Sequence, residues 1–190
     1  TISSHPDAGA QVNYGGSLIE NIESLSNAGQ WGYVPNWTSW VQEAQNWSTS
    51  GGFPRMDVTN FSWHHVLSPL VSDRVLRKEI QGHKYLIQNY FNGSLSNGYW
   101  PAECSFSERN IQVLAEEGIE WTVIANSHLA RTLNDYPINF GTSGVNSNPP
   151  NLADKVLENG NNWWNGQIDG RGRTFAAPYS YQAHKAKYVN

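Results

Sequence analysis

The feature that most constrains the fold is the alternation of strand-like and helix-like segments along the first two thirds of the chain. Residues 56–63 are rich in β-branched and aromatic side chains, and IEWTVIAN at 119–126 is a nearly continuous apolar run, as in strands buried on both faces. Helical periodicity marks the segments 12–25, 72–93 and 107–118. Strands that alternate with helices are typical of βαβ units, so the sequence predicts an α/β fold with a parallel sheet.

Start and stop signals delimit three helices. Ser72 and Ser107 are the expected N-caps of the second and third helices, and Gly29 and Gly118 follow the first and third as stop signals. The apolar positions expected to face inward are Leu18, Ile22 and Leu25 in the first helix and Val75, Leu76, Ile80 and Tyr90 in the second. Each helix therefore has one face suited to packing on the sheet.

Two polar, loop-like segments interrupt this pattern. Residues 30–52 contain several Trp residues between Pro and Ser/Thr/Gly positions, and we expect an insertion there around a short helix. Residues 127–166 are rich in Pro, Gly and Asn, and a loop of that length is usually functional or an insertion. We expect residues 1–190 to form part of one domain with these two insertions.

Charge and hydropathy exclude several classes of protein. The net charge is −4 and no Lys/Arg cluster is present, so we expect no nucleic-acid partner. No apolar run approaches the roughly 20 residues that span a bilayer, and we expect a soluble protein, either extracellular or cytoplasmic. The single Cys104 excludes an internal disulfide framework and a Cys-rich zinc site, and no cofactor is expected. The oligomeric state is not indicated.

The aromatic content points to a class of ligand. The chain has nine Trp and nine Tyr, many of them among Asn, Gly and Ser. Sugar rings stack on indole and phenol through their C–H faces, while their hydroxyls require polar partners. The same composition is equally typical of Trp-rich loops that fill a core. An oligosaccharide or polysaccharide is the partner that this composition favours.

Polar and ionisable residues follow three of the predicted strands. Glu103 lies in GYWPAECSF, His64 and His65 follow the second strand, and Asn126 and His128 follow IEWTVIA. The carboxyl ends of parallel strands meet at one edge, where catalytic groups of α/β barrels lie. We therefore expect Glu103, His65 and His128 on the same side of the sheet. An alternative role for Glu103 is interaction with the N-terminus of the helix that follows it.

Four blocks of the sequence resemble the conserved blocks of glycoside hydrolase family 57. They are VNYGGSLIENIESL at 12–25, HVLSPLV at 65–71, GYWPAECSF at 98–106 and GIEWTVIANSHLAR at 118–131, and they occur in the family's order. The resemblance extends over roughly residues 11–131 of the chain. It implies a retaining enzyme that acts on α-linked glucans and is built on a (β/α)7 barrel, of which this chain covers only a part.

The resemblance also implies roles for individual residues. The Gly-x-Trp-x-x-Glu block places the family's nucleophile at Glu103, and His65 matches the His before the family's Leu-Pro-Leu turn. The matched strand end places Asn126 and His128 beside the substrate. Trp100 and Tyr99 are expected to stack on the sugar or flank it. His64 lies outside the matched blocks and is a further candidate contact, although a loop histidine held by the protein is an equally good interpretation.

The second catalytic carboxylate has no clear counterpart in the sequence. In the family an Asp acts as general acid and base several tens of residues after the nucleophile. Asp169 is the candidate within the chain, although its DGRG context is typical of a hairpin turn. We expect the catalytic Asp to lie beyond Asn190, in which case the 190-residue chain does not hydrolyse glycosides by the retaining route.

Two other classes of function fit the same residues. One is a non-catalytic or degenerate carbohydrate-binding barrel, which applies if no second carboxylate approaches Glu103. The other is a metal-dependent polysaccharide deacetylase, with either Asp57, His64 and His65 or His5 and Asp7 as metal ligands, although two adjacent His residues do not easily face one ion. The linkage cleaved and the choice between hydrolysis and transfer are not encoded in recognisable motifs.

Overall fold

The computed structural model describes residues 2–93, 95–124, 183 and 185–186. A boundary between two compact units falls after Val123. All the helices and strands below lie before it.

Four helices and four short strands alternate in this part of the chain. The helices are α1 (Gly16–Asn27), α2 (Ser39–Gln45), α3 (Asp73–Tyr90) and α4 (Asn110–Glu116). The strands are β1 (Ala10–Val12), β2 (Met56–Val58), β3 (Gly98–Tyr99) and β4 (Trp121–Thr122). Short 3-10 turns lie at Ile2–Ser4, Ser68–Leu70 and Ala102–Cys104. Among the described helices, none has both the length and the apolar character required to cross a membrane.

All strand pairs among these elements are parallel. β1 pairs with β2, with Ala10 opposite Met56, and β3 pairs with β4. A parallel bridge between Asn60 and Tyr99 connects the end of β2 to β3. The strands therefore follow chain order in space and their carboxyl ends point the same way. The predicted α/β fold with parallel strands is confirmed.

Two apolar clusters hold the helices to the strands. The first joins α1, α2, β2 and the end of α3 and consists of Ile19, Val41, Ala44, Met56, Val58, Leu86, Ile87 and Phe91. The second joins α3, β3 and α4 and consists of Leu76, Ile80, Tyr99, Val113, Leu114 and Ile119. Because α3 contributes to both clusters, it connects the two strand pairs.

The buried face of α3 is rotated from the one predicted. Ser72 caps the helix as expected, with its Oγ accepting from Val75 N at 3.3 Å, and Leu76 and Ile80 are buried. Val75 is 43% exposed, so its inward orientation was wrongly predicted, whereas half-buried Tyr90 packs against the first cluster as expected. The buried face of α3 continues through His83, Leu86 and Ile87, which keep the spacing of three to four residues set by Leu76 and Ile80.

The first and fourth helices also differ in detail from the prediction. In α1, Ile19 is fully buried and Leu18 is 48% exposed, again a rotation of the apolar face by one position. Ser107 does not cap α4. The side-chain oxygen of Asn110 accepts instead from Ser107 N at 3.0 Å and from Ser107 Oγ at 3.2 Å, and the helix begins at Asn110.

The two predicted strands are shorter than their sequence patterns. After Val58, Thr59 N donates to Val12 O at 2.9 Å, and the chain then turns from β1 toward β3 through buried Asn60. The strand predicted over 56–63 therefore pairs with β1 up to Thr59 and contacts β3 from Asn60 onward. Of the described residues 119–124 in the last predicted strand, Trp121 and Thr122 pair, and both are half-buried rather than buried on both faces.

Trp63 fixes the start of the loop after β2 by packing between two helices. A Cβ at Gly82 of α3 would lie 2.3 Å from Trp63 Cε3, and a Cβ at Gly16 of α1 would lie 2.7 Å from Trp63 Cγ. The indole Nε1 donates to Glu20 Oε2 at 3.0 Å. Both glycines are therefore required by the close approach of the indole.

Gly82→Ala should destabilise the protein by about 1–3 kcal/mol, because the new methyl group overlaps the Trp63 ring. The same change in an unobstructed helix interior stabilises by about 1 kcal/mol, so the sign of the effect is informative. Urea unfolding of the single variant and of Gly82→Ala combined with Trp63→Ala provides the measurement. The prediction fails if Gly82→Ala is stabilising while Trp63 is present.

Candidate active site

The side chains of His65 and Glu103 meet beyond the ends of β2 and β3. His65 Nε2 lies 3.1 Å from Glu103 Oε1. A carboxylate only accepts hydrogen bonds, so Nε2 carries the proton and donates. The side chains are 54% and 71% exposed, respectively, which leaves the pair open to a ligand. The expectation that these two residues lie on the same side of the sheet is confirmed.

Both members of the pair stand on backbone in the left-handed region. The φ angles are 58° at His65, 54° at Glu103 and 53° at Cys104. Such conformations cost about 1 kcal/mol or more for residues with a Cβ, and they concentrate at functional sites. A short turn holds the Glu103 backbone, with Cys104 N donating to Pro101 O at 3.0 Å and Ser105 N donating to Ala102 O at 2.9 Å. The carboxylate carried by this turn contacts His65.

The loop that carries His65 is attached to two neighbouring helices. Ser17 N, in the first turn of α1, donates to Trp63 O at 2.9 Å. Asn110 Nδ2, in the first turn of α4, donates to Ser68 O at 3.2 Å. The helix N-termini therefore supply donors to this loop and fix it on both sides of His65.

His83 lies behind the pair and joins the ends of β1 and β2. This α3 side chain is fully buried, with Nε2 donating to Tyr14 O at 2.7 Å and Nδ1 accepting from Phe61 N at 3.2 Å. Burial lowers the pKa of His83 to about 4, against the opposing effect of its hydrogen bond to Tyr14. Phe61 in turn packs edge-on against His65, with ring centroids 5.1 Å apart. A neutral imidazole thus supports the backbone next to the candidate site.

A cleft of about 430 Å³ opens at the carboxyl ends of β1, β2 and β3. Trp100 forms part of its wall and precedes Glu103 by three positions. The combination of amide, hydroxyl and aromatic surfaces in this wall suits sugar rings. The lining residues are Gln11, Val12, Asn13, Tyr14, Thr59 and Trp100.

His64 has a different partner from His65. Its backbone N donates to Glu79 Oε2 at 2.7 Å, and its Nδ1 donates to Glu79 Oε1 at 2.8 Å. The imidazole also stacks on the Trp63 indole, with centroids 5.9 Å apart. The two adjacent histidines therefore pair with separate carboxylates, and a contact of His64 with substrate stays a prediction.

Tyr99 does not line the cleft, so its predicted role in stacking on substrate was wrong. The ring is fully buried among the helices of the second apolar cluster, and its hydroxyl lies 3.2 Å from Ser68 Oγ. Burial raises the pKa of Tyr99, with the Ser68 hydrogen bond acting in the opposite direction. Successive strand residues face opposite sides, so Trp100 is the aromatic residue that reaches the cleft. The predicted residues Asn126, His128 and Asp169 lie outside the described residues.

Several residues of this region were not predicted. Gln11, Asn13 and Thr59 line the cleft, and His83 supports it. Asn13 directly follows β1, and this position after a strand was an available signal. No such signal marks His83, because a His within an amphipathic helix is compatible with either face.

The described residues do not support the metal-dependent alternative. Within residues 2–93 and 95–124, no group of three or more His, Cys, Asp or Glu side chains is arranged to hold a metal ion. The Asp57 carboxylate accepts hydrogen bonds from Thr59 Oγ1 at 3.2 Å and from Ser96 Oγ at 2.9 Å. His64 and His65 are paired with Glu79 and Glu103 as described above.

Comparison with known proteins gives one family and two informative relatives. The profile of glycosyl hydrolase family 57 matches residues 54–150, which contain His65 and Glu103. An alpha-amylase of Niallia circulans is 38% identical over 200 residues, covering 99% of this chain and 15% of that protein. The crystal structure of 4-alpha-glucanotransferase from Thermococcus litoralis matches with a TM-score of 0.54 and 14% identity, covering 73% of this chain and 20% of that one.

The chain thus spans a fifth or less of the length of each of these two relatives. At 14% identity, the similarity to the glucanotransferase concerns the fold. The family match and the similarity to the amylase are matches of sequence, and they include the blocks that carry the candidate site.

The free energy of unfolding should decrease by about 3 kcal/mol between pH 7 and pH 4 because of His83 alone. Its pKa is about 4 when folded and near 6.5 in the unfolded chain. Between these two pKa values the unfolded chain binds more protons than the folded one, so lowering the pH favours unfolding. Above pH 7 the contribution of His83 to the free energy of unfolding is constant. Urea unfolding gives the free energy of unfolding of the wild type and of His83→Gln at each pH between 4 and 7. The difference between the pH dependences of the two proteins is the contribution of His83.

Exposed Gln88 on the same helix provides the control, since Gln88→Ala removes no titratable group and should leave the pH dependence of the wild type unchanged. Parallel pH profiles for the wild type and His83→Gln would contradict the buried neutral state of His83.

Proposed function

Because the chain belongs to glycosyl hydrolase family 57, we propose that it carries the nucleophile and part of the substrate cleft of a retaining glycoside hydrolase or transglycosylase that acts on α-linked glucans. The observation that supports this most strongly is the 3.1 Å contact of His65 with Glu103 beyond two neighbouring parallel strands. The names of the amylase and the glucanotransferase support the substrate class and leave both hydrolysis and transfer open.

The proposed setting of this site is an incomplete barrel of the (β/α)7 type. β1 to β4 are parallel and follow chain order, and helices lie between successive strands. In barrels of parallel strands the active site lies at the carboxyl ends, where both the cleft and the His65–Glu103 pair are found. An oligosaccharide or polysaccharide is the proposed substrate.

Glu103 is the proposed nucleophile. Its carboxylate attacks the anomeric carbon, and the bond from that carbon to the leaving oxygen breaks while a second carboxyl group donates a proton to that oxygen. The same second group then removes a proton from water, or from the hydroxyl of an acceptor sugar, as the new oxygen displaces Glu103. The exposed position of the Glu103 side chain leaves the approach to its oxygens open.

His65 and Trp100 are the proposed binding partners of the reacting sugar. The Nε2–H donor of His65 orients the Glu103 carboxylate. The same imidazole is proposed to contact a hydroxyl of a sugar bound at Glu103. A hydrogen bond to that hydroxyl accelerates the reaction to the extent that it strengthens as the ring flattens. The half-exposed indole of Trp100 offers a face for stacking at the cleft wall.

The remaining roles lie outside the described residues and stay proposals from the family resemblance. Asp169 is the candidate for the second carboxyl group within the chain. Asn126 and His128 are proposed to contact substrate at the end of the segment that follows β4.

Glu103→Gln should lower the initial rate of fluoride release from α-glucosyl fluoride by about 10³-fold or more, because an amide does not form the glycosyl ester. Fluoride leaves with little protonation, so this assay isolates the nucleophile from the second carboxyl group. Affinity for maltoheptaose, measured by calorimetry, should change by less than about threefold.

The control is Glu43→Gln, which removes an exposed carboxylate on α2 and should leave the rate unchanged. A Glu103→Gln rate within about tenfold of the wild type would overturn the assignment. Wild-type binding of maltoheptaose without any fluoride release would instead favour the non-catalytic carbohydrate-binding alternative.

His65→Ala should lower the same rate by about 10²-fold, since it removes the donor that orients Glu103 and the proposed contact with the sugar. His64→Ala, the matched change at the adjacent position, should lower the rate by less than His65→Ala does, because the His64 imidazole is paired with Glu79 and not with Glu103. Equal losses for the two variants would show that the pairing in the structure does not separate their roles.

A further inference from the structure

A second cleft, of about 310 Å³, lies between α1, α2 and the end of α3. Its lining comes from the last turns of α1 and α3, from residues 35–38 and from α2. It shares no lining residue with the cleft at the strand ends. Most of its lining side chains are carboxamides, hydroxyls and aromatic rings.

The polar groups of this second cleft are incompletely paired. Ser26 lines the cleft with a buried hydroxyl that has no hydrogen-bond partner among the described residues. Because the Ser26 oxygen is closed to solvent, the groups of this cleft that a ligand reaches are those of its exposed side chains. The side-chain amide nitrogens of Asn27 and Asn89 donate to Glu23 and to Tyr85 O, whereas their oxygens accept no hydrogen bond within the described part of the chain.

Two aromatic rings form a rigid wall beside these groups. Trp37 and Tyr90 lie with ring centroids 6.4 Å apart and planes inclined by 34°. Trp37 Nε1 donates to Glu23 Oε2 at 2.9 Å, and the indole packs edge-on against Phe91 at 5.7 Å. The orientation of the indole is therefore set by the protein, and little side-chain entropy is lost when a ligand stacks on it.

The charge of the cleft selects among ligands. Glu23 is the one carboxylate among its described lining residues, and no lysine or arginine lines it. Phosphorylated or carboxylated ligands are therefore disfavoured. Hydroxyl groups both donate and accept, so a neutral polyol matches the free oxygens of Asn27 and Asn89.

Exposed Trp residues accompany the cleft in the same segment of the chain. Trp31 is 88% exposed and Trp40 is 56% exposed, and they flank residues 35–38 in sequence. They add exposed aromatic surface to the segment of the chain that supplies residues 35–38.

We propose that this cleft is a second, non-catalytic binding site for a neutral oligosaccharide, held by Trp37, Asn27 and Asn89. A single carboxylate already bonded to Asn27 and Trp37 does not provide the two carboxyl groups of a glycosidase, so the site binds without cleaving. The site does not depend on Glu103, although the choice of an α-glucan as its ligand rests on the proposed function.

The test follows the indole N–H signals of the ¹⁵N-labelled 190-residue chain by NMR during titration with maltoheptaose to about 20 mM, the range of weak sugar binding. The Trp37 signal, assigned with Trp37→Phe, should shift saturably. Asn27→Ala combined with Asn89→Ala should weaken this binding by about tenfold or more, because the double variant lacks the two side-chain oxygens that are proposed to accept hydrogen bonds from the sugar. Both residues are exposed on helices, so the thermal midpoint should stay close to that of the wild type.

Asn21→Ala, on the exposed face of α1, is the matched control and should bind as the wild type does. Glu103→Gln should also retain the Trp37 response, which separates this site from the proposed active site. A titration that shifts Trp100 and leaves Trp37 unchanged would overturn the second site while leaving the proposed function intact. Unaltered affinity in the Asn27/Asn89 double variant would also overturn it.

Discussion

The hydrogen bonds of Asn60 to β3 are the interaction on which the geometry of the site depends. Asn60 N and Nδ2 donate to Gly98 O at 3.2 and 2.9 Å, Nδ2 also donates to Ser96 O at 2.5 Å, and Trp100 N donates to Asn60 O at 2.9 Å. These bonds place the end of β2 beside β3 in parallel register. His65 and Glu103 follow these two strands by a few residues each, and so they reach the same edge of the sheet and each other.

The residues that support the candidate site are closely packed, whereas the His65–Glu103 pair itself is exposed. Trp63 occupies the space left by two glycines, and His83 bonds the backbone at the ends of β1 and β2. The pair in front is more than half exposed and stands on left-handed backbone. A rigid support of this kind maintains strained residues in the orientation that catalysis or binding requires.

The sequence predicts the order of helices and strands, their parallel arrangement and the meeting of His65 with Glu103, because these follow from periodicity and from positions at strand ends. It does not predict which of two adjacent residues faces inward. Tyr99 and Trp100 are both aromatic, and a shift of one position exchanges the two faces of a strand. The same ambiguity affects Val75 and Leu76 in α3. The burial of His83 depends on contacts with residues far away in sequence, at Tyr14 and Phe61, and no local pattern encodes them.

The central claim is that Glu103 forms a covalent bond to the substrate sugar. Incubation of the chain with 5-fluoro-α-glucosyl fluoride, followed by proteolysis and mass spectrometry, tests it directly, because the electron-withdrawing fluorine slows hydrolysis of the glycosyl ester. The account predicts one fluoroglucosyl group, located on the peptide that contains GYWPAECSF and assigned to Glu103 by fragmentation. A label on another carboxylate, such as Asp57 or Glu79, would contradict it, as would equal labelling of the Glu103→Gln variant.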